Sequence, residues 1–247
     1  MSREVTVYGY NSVETSVLKN SENIIELYVD QSSSNKRIEK LLSSKIASRL
    51  NILKVDNSFL SELLSTEKHQ GIAAKIKIND FFDLKSSIQY LSQNNGSLVL
   101  ILDDLDDPRN IGACLRTANA TDVDMVVLSK NRVNIDSPVI GKVSSGALQN
   151  TNIAVVSNIS QFIERVKEIG FWIYGTSDNS EVSYWEPNYT DSTAIIVGSE
   201  GKGMRDLTKS HCDRVLSIPM SGNVSSLNVS VACGLLLYEV LRQRNAN

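Results

Sequence analysis

A polar loop near the end of the chain carries the densest set of side chains that could bind a ligand. It runs from Ile218 to Ala232, between an apolar strand and a long apolar helix. Hydroxyl and amide groups in such a place need hydrogen-bond partners. A helix cap accounts for one or two of them, so the pattern favours a ligand site. The six polar residues of this loop are Ser221, Asn223, Ser225, Ser226, Asn228 and Ser230.

A glycine-rich segment from Gly198 to Met204 follows a strand predicted over residues 194–197. Its G-x-x-G-x-G spacing lets the backbone approach a ligand closely. The spacing matches neither the dinucleotide fingerprint nor the phosphate-binding P-loop. Glu200 within it is either a carboxylate that faces a ligand or a cap at a helix start, and the sequence leaves both interpretations open.

A third segment begins at Asp107-Pro108, a helix cap followed by proline at the first helical position. Arg109 and Arg116 are seven residues apart and share one face of the predicted helix. Asn110 lies in the first turn, where free backbone N–H groups attract anions. These residues could form a corner that holds a phosphate. Periodicity alone favours the other interpretation, an amphipathic helix with a solvated arginine.

The elements that must position these segments form a regular series from Leu98 onward. Apolar strands alternate with helices, which predicts a parallel sheet covered on both faces. The preceding residues indicate a smaller α/β unit, with helices that include one over residues 36–50. We therefore predict an α/β protein with a small domain at 1–78, a linker at 79–97 and a larger domain at 98–247.

Composition narrows the class of protein. The net charge of −3 neither supports nor excludes a nucleic-acid partner, since a basic patch governs contact with phosphates. No apolar run approaches the ~18 residues of a membrane span, so we expect a cytoplasmic protein without membrane contact. The three cysteines and two histidines show no spacing typical of a metal site, and structural roles are expected for them.

Taken in order, the three segments resemble the motifs of the SpoU, or TrmH-type, RNA ribose methyltransferases. Residues 107–117 resemble the first motif, D-P-x-N-x-G-A-x-x-R-[ST], and residues 197–204 and 218–232 resemble the second and third. Residues 7–14 and 69–73 resemble the small RNA-binding domain of the RlmB-like branch of this family. The likeness extends over nearly the whole chain.

The resemblance implies a fold and an activity. The fold would be an N-terminal domain similar to ribosomal protein L30e, followed by a SPOUT-type parallel-sheet domain with a C-terminal trefoil knot. The activity would be transfer of a methyl group from S-adenosyl-L-methionine (AdoMet) to a ribose 2′-hydroxyl, most directly of a guanosine in 23S rRNA. A homodimer is also implied.

Site residues follow from motif positions. Arg116 would be the central catalytic residue, supported by Asn110, Glu200, Ser226 and Asn228. A guanidinium is a poor base because its pKa exceeds about 12. We therefore expect Arg116 to hold a substrate phosphate and to stabilise the developing oxyanion. The cofactor-binding residues would be Thr176, Gly198, Gly201, Ile218, Met220 and Leu227. The RNA-binding residues would be Arg109, Arg132 and Lys142 near the site, with Lys36, Arg37 and Lys40 extending the footprint.

Two other functions remain as alternatives at this stage. A transfer-RNA 2′-O-methyltransferase of the same family would share these motifs. A non-catalytic RNA-binding protein could retain the fold, although the presence of both Asn110 and Arg116 counts against it. A nicotinamide-dependent dehydrogenase is excluded, since the chain lacks the glycine fingerprint.

Overall fold

Two separate units of the chain each contain one β-sheet. The structure, a computed structural model, describes residues 3–130, 134–199, 201 and 203–246. The first unit comprises Met1–Asp80 with Asn134–Asn150, and the second comprises Phe81–Val133 with Thr151–Asn247. Within the described residues, no helix is both long enough and apolar enough to cross a membrane.

The N-terminal 80 residues form a four-stranded sheet with three α-helices. Its strand order is β1-β4-β2-β3, in which β4 runs antiparallel to both of its neighbours and β2 and β3 are parallel. The elements are β1 (Arg3–Tyr8), α1 (Tyr10–Lys19), β2 (Ile24–Asp30), α2 (Lys36–Leu42), β3 (Ile52–Val55), α3 (Asn57–Leu64) and β4 (Ile72–Ile78).

The rest of the chain supplies seven α-helices and six strands. In chain order these are α4 (Leu84–Leu91), β5 (Leu98–Asp103), α5 (Pro108–Ala120), β6 (Met125–Ser129), α6 (Pro138–Val143), α7 (Ala147–Asn150), β7 (Ile153–Val156), α8 (Ile159–Glu168), β8 (Trp172–Thr176), β9 (Thr193–Gly198), α9 (Asp206–Ser210), β10 (Arg214–Leu216) and α10 (Val229–Asn245).

The sheet of the second unit is wholly parallel, as predicted, with the order β10-β8-β9-β5-β6-β7. Helices α4 and α8 pack against a core that contains Val99, Ile101 and Phe162. Helix α10 packs on α5 and against β9. Because all six strands point the same way, their carboxyl ends lie along one edge of the sheet. A ligand site is expected at that edge in an open α/β sheet.

The start of α5 confirms the predicted cap. The Asp107 side chain accepts a hydrogen bond from the Arg109 N–H at 2.9 Å, and Pro108 occupies the first turn. Residues Ile111, Leu115 and Ala118 are buried, whereas Arg116 on the other face is exposed. The helix ends at Ala120, as predicted. This geometry leaves Arg109 and Arg116 facing solvent.

Three structural details differ from the sequence prediction. The helix predicted over 36–50 ends at Leu42, and the hydroxyl of the next residue, Ser43, donates to the Glu39 carbonyl. A 3-10 turn at Ala47–Arg49 follows. The segment 79–97, predicted as a linker, contains α4, which packs against β7 and α8. Residues 134–150 belong to the first unit, because α6 packs on β1 and α7 lies against β4.

The predicted structural role of His69 agrees with its surroundings. The ring is 1% exposed, and its Nδ1 accepts a hydrogen bond from the Gly71 N–H at 3.1 Å. Its Nε2 lies 3.1 Å from the Ser61 hydroxyl. Burial lowers the pKa of His69, so the neutral ring is favoured.

Candidate active site

A cavity of about 760 Å³ opens at the carboxyl edge of the parallel sheet. Strands β8, β9 and β10 end at its wall, and the chain that follows each strand supplies its lining. The predicted cofactor-binding residues all line it: Thr176, Gly198, Gly201, Ile218, Met220 and Leu227. The second and third motifs therefore meet in one space, although residues 205–217 separate them in the chain.

Close packing of the backbone explains why Gly198 occupies its position. A Cβ atom there would lie 2.1 Å from the Gly203 carbonyl carbon and 2.2 Å from the Met204 nitrogen. The loop closes on itself through Ser199 N–H to Gly203 carbonyl at 3.1 Å and the reciprocal bond at 2.9 Å. Ser199 and Gly203 are thus held together at the end of β9, and Gly198, Ser199, Gly201 and Gly203 line the cavity.

An ion pair between a buried carboxylate and the half-exposed Arg205 side chain anchors the chain directly after this glycine-rich turn. Asp103, at the end of β5, is fully buried. It accepts hydrogen bonds from the Arg205 backbone N–H at 3.0 Å, from Nε at 2.9 Å and from Nη2. A planar guanidinium matches a carboxylate through two parallel donors. The pair therefore ties the exit of residues 199–204 to the central strand of the sheet.

The first and third motifs meet at the starts of two packed helices. Asn228 is the cap of α10, where its Oδ1 accepts from the Ser230 N–H at 3.0 Å. Its amide nitrogen donates to Asn110 Oδ1 at 3.1 Å. Ser226 and Leu227 line the cavity immediately before this cap. Asn228 is therefore one of the polar loop residues that a helix cap accounts for.

The walls of the cavity combine apolar surface with more negative than positive side chains. Val197, Leu216 and Ile218 provide apolar faces that suit a planar aromatic ring. The charged side chains in the lining are three carboxylates and one ammonium, namely Asp178, Glu181, Asp206 and Lys209. Among these described residues negative charge prevails, so the cavity favours a ligand with positive groups.

Thr176 lines the cavity and also joins two strands of the sheet. Its hydroxyl donates to the Ile196 carbonyl at 3.1 Å, which joins the ends of β8 and β9. Next to it, Gly175 has no room for a side chain, because a Cβ would lie 2.5 Å from the Met204 methyl and 2.6 Å from Cys212 sulfur. Burial raises the pKa of the Cys212 thiol to about 11, which makes it a poor nucleophile near neutral pH.

Several predicted site residues lie elsewhere. Arg116 is exposed on α5, two turns beyond Asn110, and does not line the cavity. Arg109 is exposed at the start of the same helix. Glu200 and Arg132 fall outside the residues that the structure describes. Among the described residues, no three His, Cys, Asp or Glu side chains come together as metal ligands.

The remaining predicted RNA contacts belong to the first unit. Lys36, Arg37 and Lys40 are exposed on α2, and the Arg37 guanidinium lies 4.0 Å from the centre of the Tyr10 ring. Lys142 is less available, because its ammonium donates to the Lys68 carbonyl at 2.7 Å and lies over the Tyr8 ring. Burial lowers the pKa of Lys142.

One group of cavity residues and one ion pair beside the glycine-rich turn were not predicted from the sequence. The polar run Ser177-Asp178-Asn179-Ser180-Glu181 directly follows β8 and lines the cavity. Its position at the carboxyl end of a buried parallel strand was a signal that could have found it. The pairing of Asp103 with Arg205 had no such signal, because 102 residues separate the two side chains.

Comparison with known proteins gives these features a family. The profile of the SpoU rRNA Methylase family matches residues 97–238, and the profile for RNA 2′-O ribose methyltransferase substrate binding matches residues 6–82. The protein belongs to the SpoU rRNA methylase family. The three motifs that line or adjoin the cavity all fall within the first of these matches.

Relatives within the SpoU family extend over both units. The 23S rRNA (guanosine-2′-O-)-methyltransferase RlmB of Coxiella burnetii is 39% identical over 247 residues, which cover 100% of this chain and 98% of that protein. The RlmB of Neisseria meningitidis is 35% identical over 245 residues, with 99% and 97% coverage. The similarity is therefore not confined to the methylase part of the chain.

Solved structures of the SpoU class share the fold. A crystal structure of an RNA 2′-O ribose methyltransferase superimposes with a TM-score of 0.79 at 26% identity, covering 98% of this chain and 90% of that one. The AviRb methyltransferase of Streptomyces viridochromogenes, solved in complex with the cofactor AdoMet, has the same TM-score at 22% identity, with 99% and 91% coverage. The knot and the likeness to L30e stay predictions.

Proposed function

We propose that this protein transfers a methyl group from AdoMet to the ribose 2′-hydroxyl of a guanosine in 23S rRNA. The observation that carries the proposal is the convergence of the three motifs. Two of them line one cavity, and the hydrogen bond between Asn228 and Asn110 joins the first motif to its rim. The chain that contains this site is similar to RlmB proteins over its whole length.

The cavity fits the methyl donor. Its volume lies within the ~300–1,000 Å³ typical of small-molecule sites. AdoMet carries a sulfonium and an ammonium, and the carboxylates of Asp178, Glu181 and Asp206 offer complementary charge. Backbone edges of Gly198 and Met220 and the apolar surface of Ile218 and Leu227 suit an adenine ring. When bound, AdoMet supplies an electrophilic methyl carbon.

The residues of the chain supply position and charge stabilisation. Asn110 and Asn228, already hydrogen-bonded to each other, orient the ribose at the cavity rim, with Ser226 beside them. The attacking oxygen must lie in line with the methyl carbon at ~3–3.5 Å. Arg116 holds a substrate phosphate and stabilises the negative charge that develops on the 2′-oxygen, while the hydroxyl proton leaves to that phosphate, to water or to a neighbouring side chain. Glu200 supports the same step.

The first unit extends the RNA contact. Lys36, Arg37 and Lys40 form an exposed basic group on α2, and phosphate neutralisation by such groups supplies most sequence-independent affinity. The exposed Arg37 guanidinium packs with one face on the buried Tyr10 ring, and its other face can stack on an unpaired base. A loop or bulge of the RNA is therefore the preferred target, with Arg109 and Arg132 as further contacts near the methyl-transfer site.

The extent of the similarity to relatives favours ribosomal RNA over transfer RNA as the substrate. The tRNA modifying TrmH/SpoU enzyme of A. aeolicus is 29% identical but matches 66% of this chain, with a TM-score of 0.55. The RlmB proteins match both units. The first unit, which the RlmB proteins share, is the feature that supports 23S rRNA as the substrate. The bacterial cytoplasm is the corresponding compartment.

A homodimer is the assembly we propose. Val231, Leu235 and Tyr238 are spaced by four and three residues along α10 and form one exposed apolar stripe. Their exposed fractions are 51%, 37% and 55%. An exposed stripe of this kind is typical of an interface between subunits. Because α10 packs on α5, the stripe adjoins the helix that carries Arg116.

The experiment uses AdoMet labelled with tritium in its methyl group and unmodified 23S rRNA. We expect label in the ribose of one guanosine, and substitution Arg116→Ala should abolish transfer while AdoMet affinity changes by less than about tenfold, or ~1.4 kcal/mol. Transfer into tRNA instead would assign the rival substrate, and RNA binding without transfer would assign the non-catalytic rival. Loss of AdoMet binding in Arg116→Ala would contradict the role of this arginine.

A further inference from the structure

A second cavity, of about 540 Å³, lies in the same unit and shares no lining residue with the first. It is found at the end of the edge strand β7. Its lining comes from the start of α4, the residue that follows β6, the turn after β7 and the first two turns of α8. None of the three motifs contributes to it.

The register of the edge strands creates this cavity. Strands β6 and β7 are parallel, and the Lys130 N–H donates to the Val156 carbonyl at 2.9 Å, so Lys130 leaves the sheet beside the end of β7. Phe82 holds the start of α4 on the other side of β7, through bonds to Ile153 and Val155 at 2.8 and 2.9 Å. The starts of α4 and α8 therefore flank one hollow.

Both helices begin in a well-defined way at this hollow. Asn158 caps α8 by accepting from the Gln161 N–H at 3.2 Å. Asp83 caps α4 in a reciprocal arrangement with Ser86, whose N–H donates to Asp83 at 2.8 Å. The hydrogen bonds from Ser86 lower the pKa of Asp83. The carboxylate of Asp83 is thus already occupied within its own helix turn.

Positive charge surrounds the cavity in a chain whose net charge is −3. Lys85, Lys130 and Arg165 line it and are exposed, whereas Asp83 is the only acidic residue among the described lining. Arg165 also contacts Glu168 at 2.7 Å, in a pair whose members are 52% and 57% exposed. Exposed pairs of this kind are weak and exchange partners easily. The surface suits a polyanion.

The cavity lies along the same sheet edge as the methyl-transfer site. Strand β7 is two strands away from β5, which leads into the helix that carries Asn110. At ~4.8 Å between neighbouring strands, the separation across the sheet is about 10 Å. One strand of a nucleic acid carries a phosphate for about every 3.4 Å of helix axis. An RNA strand that crosses the carboxyl edge of the sheet at the end of β5 can therefore continue past the end of β6, which Lys130 follows.

We propose that the cavity lined by Lys85, Lys130 and Arg165 binds backbone phosphates of the RNA that flank the target nucleotide. The inference rests on the proposed function for the identity of the RNA. Phosphate contacts of this kind set the register of the strand and carry no base specificity. The site therefore contributes to RNA affinity and leaves AdoMet binding and the chemical step unchanged.

The test compares single and double charge variants on unmodified 23S rRNA. Lys85→Gln and Lys130→Gln should each reduce the slope of log affinity against log salt by about 1, and the double variant by about 2. The KM for RNA should rise several-fold, while kcat at saturating RNA and the Kd for AdoMet stay unchanged. Lys130→Arg should restore the slope, because it restores the positive charge.

Arg214→Gln is the matched control. Arg214 is exposed on β10, at the other end of the sheet from β7, and lines neither cavity. Its substitution removes one positive charge and should leave the salt slope unchanged. Equal slopes for Lys130→Gln and Arg214→Gln would overturn the inference, as would a wild type that does not bind RNA. If RNA binding depends on both lysines but no methyl transfer occurs, the phosphate site stands and the proposed function fails.

Discussion

Replacing Arg205 by alanine tests whether the Asp103–Arg205 pair holds the glycine-rich turn in place. Asp103 is fully buried, and the substitution would leave it with one backbone donor of the three hydrogen-bond donors that it now has. Breaking a fully buried pair costs ~3–5 kcal/mol. The Arg205 side chain is 46% exposed, so solvent screening reduces the expected loss to about 2–3 kcal/mol. For a chain of this size, that corresponds to a fall in Tm of about 4–12 °C.

The effect on ligand binding follows from the loop that Arg205 anchors. Residues 199–204 would have to become ordered when AdoMet binds, and fixing one residue costs ~1–2 kcal/mol. We therefore expect AdoMet affinity, measured by calorimetry, to fall by about tenfold or more. Arg205→Lys should recover part of the stability but little of the affinity, because an ammonium lacks the planar fork of donors.

Arg165→Ala is the control for this comparison. It also removes an arginine paired with a carboxylate, but both partners are half exposed, and such pairs contribute ~0–1 kcal/mol. Its Tm should stay within a few degrees of the wild type, and its AdoMet affinity should be unchanged. If Arg205→Ala and Arg165→Ala lose equal stability and both bind AdoMet normally, the positioning role of the Asp103–Arg205 pair is refuted.

Three further outcomes are expected. Gly198→Ala should abolish AdoMet binding in calorimetry, because its Cβ would overlap the Gly203 backbone. The control Gly222→Ala should bind AdoMet normally, because a Cβ at Gly222 meets open space. Equal binding by both variants would contradict the packing argument. His211 has its pKa raised by the Leu207 carbonyl and then by Glu164, so its contribution to stability is complete below about 6.5, the unfolded value, and is lost as pH rises through the folded pKa. Thermal melts should show that His211→Gln removes this dependence, and an unchanged profile would count against it. Leu235→Glu should convert the proposed dimer to monomers in light scattering, and a persistent dimer would exclude the α10 stripe as the interface.

Local signals in the sequence were sufficient to predict most of the second unit. The cap at Asp107-Pro108 fixed the start of α5, and continuous apolar runs identified the buried strands of the parallel sheet. Both signals depend on a few adjacent residues. The helix predicted over 36–50 is wrong beyond Leu42, where the Ser43 side chain bonds back to the Glu39 carbonyl and competes with continuation of the helix.

Tertiary packing determined what the sequence pattern missed. Residues 134–150 show an ordinary helix signal at Pro138, yet they belong to the first unit because α6 packs on β1. Gly141 permits that close approach, since a Cβ there would lie 2.8 Å from the Val7 side chain. Nothing in residues adjacent to 141 specifies a partner more than 130 positions earlier in the chain.

The difference between local signals and tertiary packing also explains which parts of the site were predictable from the sequence. The motifs identified residues whose backbone or caps matter locally, such as Gly198 and Asn228. Their convergence depends on the strand order, which places β9 between β8 and β5 and brings the chain after each strand to one edge. Side chains that bind a ligand at that edge need no sequence proximity, only a position directly after a parallel strand. Lys130 satisfies this condition after β6, as Asp178 does after β8. The strand topology therefore predicts that both residues contact a ligand.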